Sequence, residues 1–169
     1  VELAIKDSIR LRRPTYIRLG KKGEPKVHDL TPEFTIGKAI TIREGEHIAI
    51  LGIGNMVSVA LEVADKLQEN NISPRVISFH TIKPLDDDLL RLLFSNYSKI
   101  AILEEHGVAG GAGSAVLEWA SRTGIESSKL SCFGVDDKFL TGYGNQLEAR
   151  QAIGLDATTI AKALMRDEN

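Results

Sequence analysis

The side chains best equipped for chemistry stand together in Lys99 to Trp119, KIAILEEHGVAGGAGSAVLEW. Glu104, Glu105 and His106 follow an apolar run and precede the glycines Gly110, Gly111 and Gly113. Two carboxylates beside an imidazole are the raw material of an acid–base pair or of part of a metal site. The remaining histidines, His28, His47 and His80, are scattered, and no second histidine or cysteine falls at ligand spacing. With no nucleophile nearby either, an interface or hydrogen-bonding role is favoured for the triplet. A glycine-rich turn that opens a helix can hold an anion. Small residues that let the helix pack closely on a sheet explain these glycines more simply.

Other motifs invite similar weighing. Gly52-Ile53-Gly54-Asn55-Met56-Val57 follows a strand and leads into a helix, as a dinucleotide fingerprint does. Two departures favour a tight structural turn instead. Val57 holds the third glycine position, where a side chain is expected to block close helix–strand approach. The next strand ends in Phe79-His80 rather than in an acid that would hold a ribose hydroxyl. Asp86-Asp87-Asp88 opens a helix, where carboxylates complement the helix dipole, so capping explains them better than metal binding does. Arg18 ends a short apolar segment before Gly20, a position from which a guanidinium suits a phosphate; a lone arginine more often supplies surface charge. Cys132, the single cysteine, sits in the apolar Leu130 to Val135 and fits a small buried hydrophobe rather than a nucleophile. One cysteine cannot form an internal disulfide, which suits a reducing cytoplasm.

The elements that must position these groups are legible from periodicity. Val1, Ile5 and Ile9 recur at helical spacing over residues 1–12, and Pro14 ends that helix. Thr15 to Leu19 is then expected as a strand, and Gly20 to Pro32 as a linker. From Phe34 onward strands and helices alternate: a strand carrying Ile36, Lys38, Ile40 and Ile42; a strand His47–Leu51; a helix from Met56 stopped by Asn70-Asn71; a strand Arg75–Phe79; the helix begun by Asp86; a strand Ile100–Leu103; a helix Gly113–Ser121; and a strand Leu130–Phe133. Two further helices close the chain, the first ended by Gly154 and the second capped by Asp156. Such alternation predicts a three-layer α/β/α sandwich around a largely parallel sheet.

Composition excludes several classes. At 169 residues, 43% hydrophobic and 26% charged, the chain has the profile of an ordinary globular protein with one well-buried core. It contains no apolar run approaching the roughly 20 residues a membrane span needs, and no signal peptide pattern. A net charge of −2 hides an asymmetry, +5 over residues 1–26 against −7 over the rest. A nucleic-acid arm would have that sign, but the basic residues are interrupted by apolar ones at structural spacing, which favours a solvated basic face. The opening at Val1, without methionine and within a helical pattern, leads us to expect a piece of a longer protein.

Four segments, taken in order, carry a family resemblance: Pro14 to Gly20 (PTYIRLG), Ile50 to Val57 (ILGIGNMV), Val76 to Asp86 (VISFHTIKPLD) and Leu103 to Ser114 (LEEHGVAGGAGS). They resemble the carboxyl-terminal part of the transketolase family of thiamine-diphosphate enzymes, with wording nearest to transketolase itself. Deoxyxylulose-phosphate synthase and the beta subunits of 2-oxo acid dehydrogenases are close relatives and remain alternatives, as does a stand-alone α/β binding module. The resemblance implies that residues 1–20 are the last helix and strand of a preceding pyrimidine-binding domain, 21–34 a linker and 35–169 the carboxyl-terminal domain. It further implies a five-stranded mostly parallel sheet whose first strand is antiparallel. Arg18 matches the arginine that meets the substrate's phosphate; no catalytic residue is expected on this chain. Thiamine diphosphate and magnesium belong to the complete enzyme, and the family's Gly-Asp-Gly…Asn-Asn signature for them does not occur here. The chain is expected to be inactive alone. Its implied partners are the remaining domains or a partner subunit within a cytoplasmic homodimer, with no nucleic acid and no membrane. The chemistry of the whole would be transfer of a two-carbon ketol unit between phosphorylated sugars.

Overall fold

A computed structural model describes residues 1–20, 23, 25–28, 30–142 and 144–166. Part of the expected linker, Lys21, Lys22, Glu24 and Asp29, lies outside the described residues.

The chain runs α1 (Glu2–Leu11), β1 (Ile40–Arg43), β2 (Ile48–Gly52), α2 (Met56–Gln68), β3 (Arg75–Ser78), α3 (Asp87–Asn96), β4 (Lys99–Gly107), α4 (Ala112–Thr123), β5 (Leu130–Val135), α5 (Gln146–Ala152) and α6 (Ala157–Arg166). The five strands form one sheet in the order β1-β3-β2-β4-β5, with β1 antiparallel to β3 and every other pair parallel.

Strand alternation sorts the apolar side chains into two cores. Ile48 and Ile50 of β2, with Val76, Ala101 and Leu103, point to one face and pack under α2 and α6. Ala49 and Leu51, with Ile77, Ile100 and Ile102, point to the other and pack under α3 and α4. β2 is buried along its whole length because helices cover both its faces. The expected three-layer sandwich is therefore the fold.

Local signals govern the helix ends. The Asp86 carboxylate accepts from the Leu89 N–H and caps α3. Asp156 accepts from the Thr158 and Thr159 N–H groups at the start of α6, and Gly154 takes the left-handed φ of 75° just after α5.

Two expectations need correction, and the faces of α1 are a separate finding. Thr15 to Leu19 forms no strand: a strand exists only through its ladder, and none of the described residues pairs with this segment. The strand expected from Ile36 begins only at Ile40, because the Ile36 and Ala39 N–H groups donate to the carboxylates of Asp7 and Asp86 rather than to a neighbouring strand. The apolar row Val1, Ile5, Ile9 is exposed at 71%, 46% and 70%, whereas the one buried residue of α1 is Asp7.

Candidate functional site

Ligands of open α/β sheets bind beyond the carboxyl ends of the strands, where neighbouring connections leave in opposite directions. Here that point lies between β2 and β4: the chain after β2 turns to α2 on one face, and the chain after β4 turns to α4 on the other. Both glycine-rich motifs and the Glu104–His106 triplet converge on this edge.

The triplet lies inside β4 rather than beyond it. β4 continues to Gly107, paired with Val135, across an irregularity in register between Leu103 and Gly107. The irregular backbone sends three consecutive side chains into three different surroundings. Glu104 is 2% exposed, and its two oxygens accept from the N–H groups of Ala112 at 2.7 Å and Gly113 at 3.0 Å. Its carboxyl thus accepts from two backbone N–H groups at the amino-terminal end of α4. Glu105 is half-buried. It accepts from Asn55 Nδ2, from Gln146 Nε2 at 3.0 Å and from Arg150 Nε at 2.9 Å, joining the β2–α2 turn to α5. Burial pushes its carboxyl up, but the bonds from Asn55, Arg150 and Gln146 outweigh that and hold it below the usual range. His106 is exposed, with Nδ1 3.0 Å from the adjacent Gly107 carbonyl oxygen. The hydrogen-bonding role favoured for the triplet is what the two carboxylates perform, and no acid–base pair is assembled.

Gly111 follows from Glu104, and Gly113 from Cys132. A Cβ on Gly111 would stand 2.2 Å from Glu104 Oε2, and one on Gly113 would stand 2.5 Å from Cys132 Sγ. Cys132 itself is half-buried; burial and the neighbouring Glu104 push its thiol up, away from the reactive thiolate. Ser114 completes the turn, its hydroxyl accepting from Gly110 N and donating to the Val108 carbonyl. At the other turn, a Cβ on Gly52 would lie 2.7 Å from Val57 Cα. The Val57 side chain was expected to keep helix and strand apart. Instead α2 closes on the sheet at Gly52, and Val57 is buried at 3% exposure.

Neither turn fits a diphosphate. The N–H groups that would cradle one at α4 are occupied by Glu104, and at α2 the carboxylate of Glu105 faces Asn55. No group of three or more His, Cys, Asp and Glu among the described residues is placed to hold a metal ion.

Arg18 stands apart from this edge network. It is exposed on the segment after α1, with no hydrogen-bond or ion-pair partner among the described residues. Sequence reading missed the surroundings of the Phe34–Ala39 turn. There the Phe34 ring stacks on His80 at 4.3 Å, and Lys38 Nζ bonds Asp86 at 3.2 Å and Asp88 at 2.7 Å. His80 Nδ1 lies 2.8 Å from Thr81 Oγ1. Burial pushes the His80 pKa below its usual value, with His28 acting in the same direction; the Lys38 carbonyl and Asp86 oppose it.

A pH dependence follows from that shift. The unfolded chain takes up the proton near pH 6.5 and the folded chain only at lower pH. Stability is therefore complete above that value and falls as the pH drops below it, because the unfolded state then binds more protons. Urea midpoints measured between about pH 7.5 and 5 are expected to fall toward acid in the wild type, and less steeply in His80→Gln. Equal slopes would remove His80 as the cause.

Residues 37–160 match the family model described as "Transketolase, C-terminal domain". The chain belongs to the transketolase C-terminal domain family. Similarity to relatives of this family extends over nearly the whole chain. The 1-deoxy-D-xylulose-5-phosphate synthase of Magnetococcus marinus is 40% identical over 164 residues, covering 96% of this chain and 25% of that protein. The enzyme of the same name from Brevibacillus brevis is 38% identical over 146 residues, covering 86% of this chain and 23% of its own length. The chain thus spans about a quarter of these relatives. Among solved structures, a split-gene transketolase described as an inactive beta4 tetramer superposes with a TM-score of 0.86 at 32% identity, covering 97% of this chain and 53% of that one. A transketolase variant from Pichia stipitis, at 16% identity and a TM-score of 0.57 over 77% of this chain, shares the fold. The antiparallel first strand and the α/β/α layers are those implied by the family resemblance. No helix among the described residues is long and apolar enough to cross a membrane.

Proposed function

We propose that this chain is the carboxyl-terminal lobe of a thiamine-diphosphate-dependent transferase that moves a two-carbon ketol unit between phosphorylated sugars. The observation that carries this reading is the 0.86 superposition on a split-gene transketolase over 97% of the chain. Residues 1–20 are then the last piece of a preceding domain, 21–34 the linker and 35–169 the lobe itself. The exposed row Val1, Ile5, Ile9 supports that division, because an amphipathic helix is stable with its apolar side covered. Thiamine diphosphate, which supplies the carbanion chemistry, and magnesium are held by the rest of the enzyme. Glu104 and Glu105, already seated where this fold could take an anion, support that placement. The working form is a cytoplasmic homodimer of complete enzymes.

Within it, Arg18 binds the substrate's phosphate. An exposed guanidinium with no partner among the described residues is available for such a contact, and its fork of N–H donors matches a phosphate. The experiment is an assay of the chain alone and together with the remaining polypeptide of the enzyme. Turnover is expected only in the second case. Arg18→Ala in the complete enzyme is expected to lower kcat/KM for phosphorylated substrates by roughly tenfold or more, with unphosphorylated sugars little affected. Equal losses for both would remove Arg18 from the site.

One observation favours a second reading: the curated relatives at 40% and 38% identity are 1-deoxy-D-xylulose-5-phosphate synthases. Supplying the complete enzyme with a ketose phosphate or with a 2-oxo acid as donor separates the two.

A further inference from the structure

The turn from Phe34 to Ala39 is gripped from two elements that are far apart in sequence. Asp7 Oδ2, on α1, accepts from the Ile36 N–H at 2.7 Å, and Asp86 Oδ2, at the start of α3, accepts from the Ala39 N–H at 2.9 Å. The two carboxylates are only 7% and 6% exposed. Between these grips the turn closes on itself through the Lys38 N–H and the Thr35 carbonyl. Gly37, at φ 88°, lies so near Pro84 that a Cβ would stand 2.9 Å from Pro84 Cγ. Little in this turn is free to slide.

The Asp7 bond is unusual in what surrounds it. α1 buries Asp7 and exposes its apolar row, so a carboxylate bound to a backbone amide, rather than packed hydrophobes, fastens this helix to the sheet domain. Arg10 braces the same carboxylate from within α1, with Nε at 2.7 Å. The chain leaves α1, passes through Arg18 and the linker, and returns to Asp7 at Ile36. The bond therefore closes a loop that contains Arg18, and removing it would let α1 and that loop move against the sheet.

We propose that Asp7 and Asp86 make the Phe34–Ala39 turn a fixed joint between α1 and the sheet domain, and that Asp7 is thereby a positioning residue for Arg18. The second half of this statement rests on the phosphate-binding reading of Arg18; the first does not. A hydrogen bond from a backbone amide to a buried carboxylate resists opening more than one to water does, so the joint predicts slow exchange of one named amide proton.

The test has two arms. In the chain itself, hydrogen exchange followed by NMR is compared for wild type, Asp7→Ala and Asp7→Asn. Asp7→Ala is expected to speed exchange of the Ile36 amide, and of α1, by roughly tenfold or more, while β2 and β4 keep their protection. Asp7→Asn retains a side-chain carbonyl that can accept the bond and is expected to keep most of the Ile36 protection. Wild-type exchange at Ile36 in Asp7→Ala overturns the joint. Should Asp7→Ala loosen β2 and β4 too, Asp7→Asn decides: retained protection at Ile36 supports the joint and its loss overturns it. In the complete enzyme, Asp7→Ala is expected to raise KM for a phosphorylated substrate several-fold with kcat little changed, and to add nothing to Arg18→Ala. Additive effects, or an unchanged KM, overturn the positioning role. Failure of the phosphate reading shows separately, in the single Arg18→Ala variant.

Discussion

Replacing Glu104 with alanine is expected to cost about 3 kcal/mol of stability, because the buried N–H groups of Ala112 and Gly113 then lose their acceptor. Urea unfolding followed by the fluorescence of Trp119, the chain's only tryptophan and part of the α4 core, reads this directly. A sharper version couples two sites. Gly111 has a φ of −85°, open to any residue, so what forbids a side chain there is the carboxylate 2.2 Å from the prospective Cβ. Gly111→Ala should cost about 2 kcal/mol in the wild type. In the Glu104→Ala background, where that space is vacated, it should cost no more than about 0.5 kcal/mol. Gly113→Ala is the control: its Cβ meets Cys132 Sγ first, at 2.5 Å, so its penalty should persist in both backgrounds. Equal penalties for Gly111→Ala in the two backgrounds would show that the glycine serves something other than Glu104.

The second large effect belongs to Gly52. An alanine Cβ would lie 2.7 Å from Val57 Cα and 2.9 Å from Val57 N, which are main-chain atoms of the first turn of α2. A side chain can rotate away, but here a buried helix would have to withdraw from a buried strand. Gly52→Ala is expected to cost about 3 kcal/mol, the upper range for overpacking. Gly54, whose prospective Cβ meets nothing within 4 Å, offers a contrast. Its φ of 57° charges Gly54→Ala only for backbone conformation, about 1 kcal/mol. If the two variants unfold at the same urea concentration, close packing at Gly52 is not the constraint.

Much of the edge network was open to anticipation only in part. Glu104 and Glu105 are adjacent and chemically alike, and nothing local distinguishes the one that caps α4 from the one that ties α5 to the β2–α2 turn. Their donors stand 8 and 9 residues away for Glu104, and 41, 45 and 50 residues away for Glu105. Asp7 left one trace in the sequence. It interrupts the row Leu3, Asp7, Leu11, an acid where a helix facing a core would carry an apolar residue. The neighbouring row Val1, Ile5, Ile9 is the more regular of the two.

The amino-acid order alone determined the succession of helices and strands in residues 40–166, though not the extension of β4 to Gly107, since hydrophobic period, caps such as Asp86 and Asp156, and the stop at Gly154 act within a turn or two of chain. It also determined the family, through motifs that keep their order along the chain. The tertiary structure decided which donors each carboxylate meets, why β1 starts late, and that Thr15 to Leu19 forms no strand. Those outcomes depend on groups brought together from elements far apart in the sequence, and it is burial of the two apolar faces of the sheet that fixes how those elements meet.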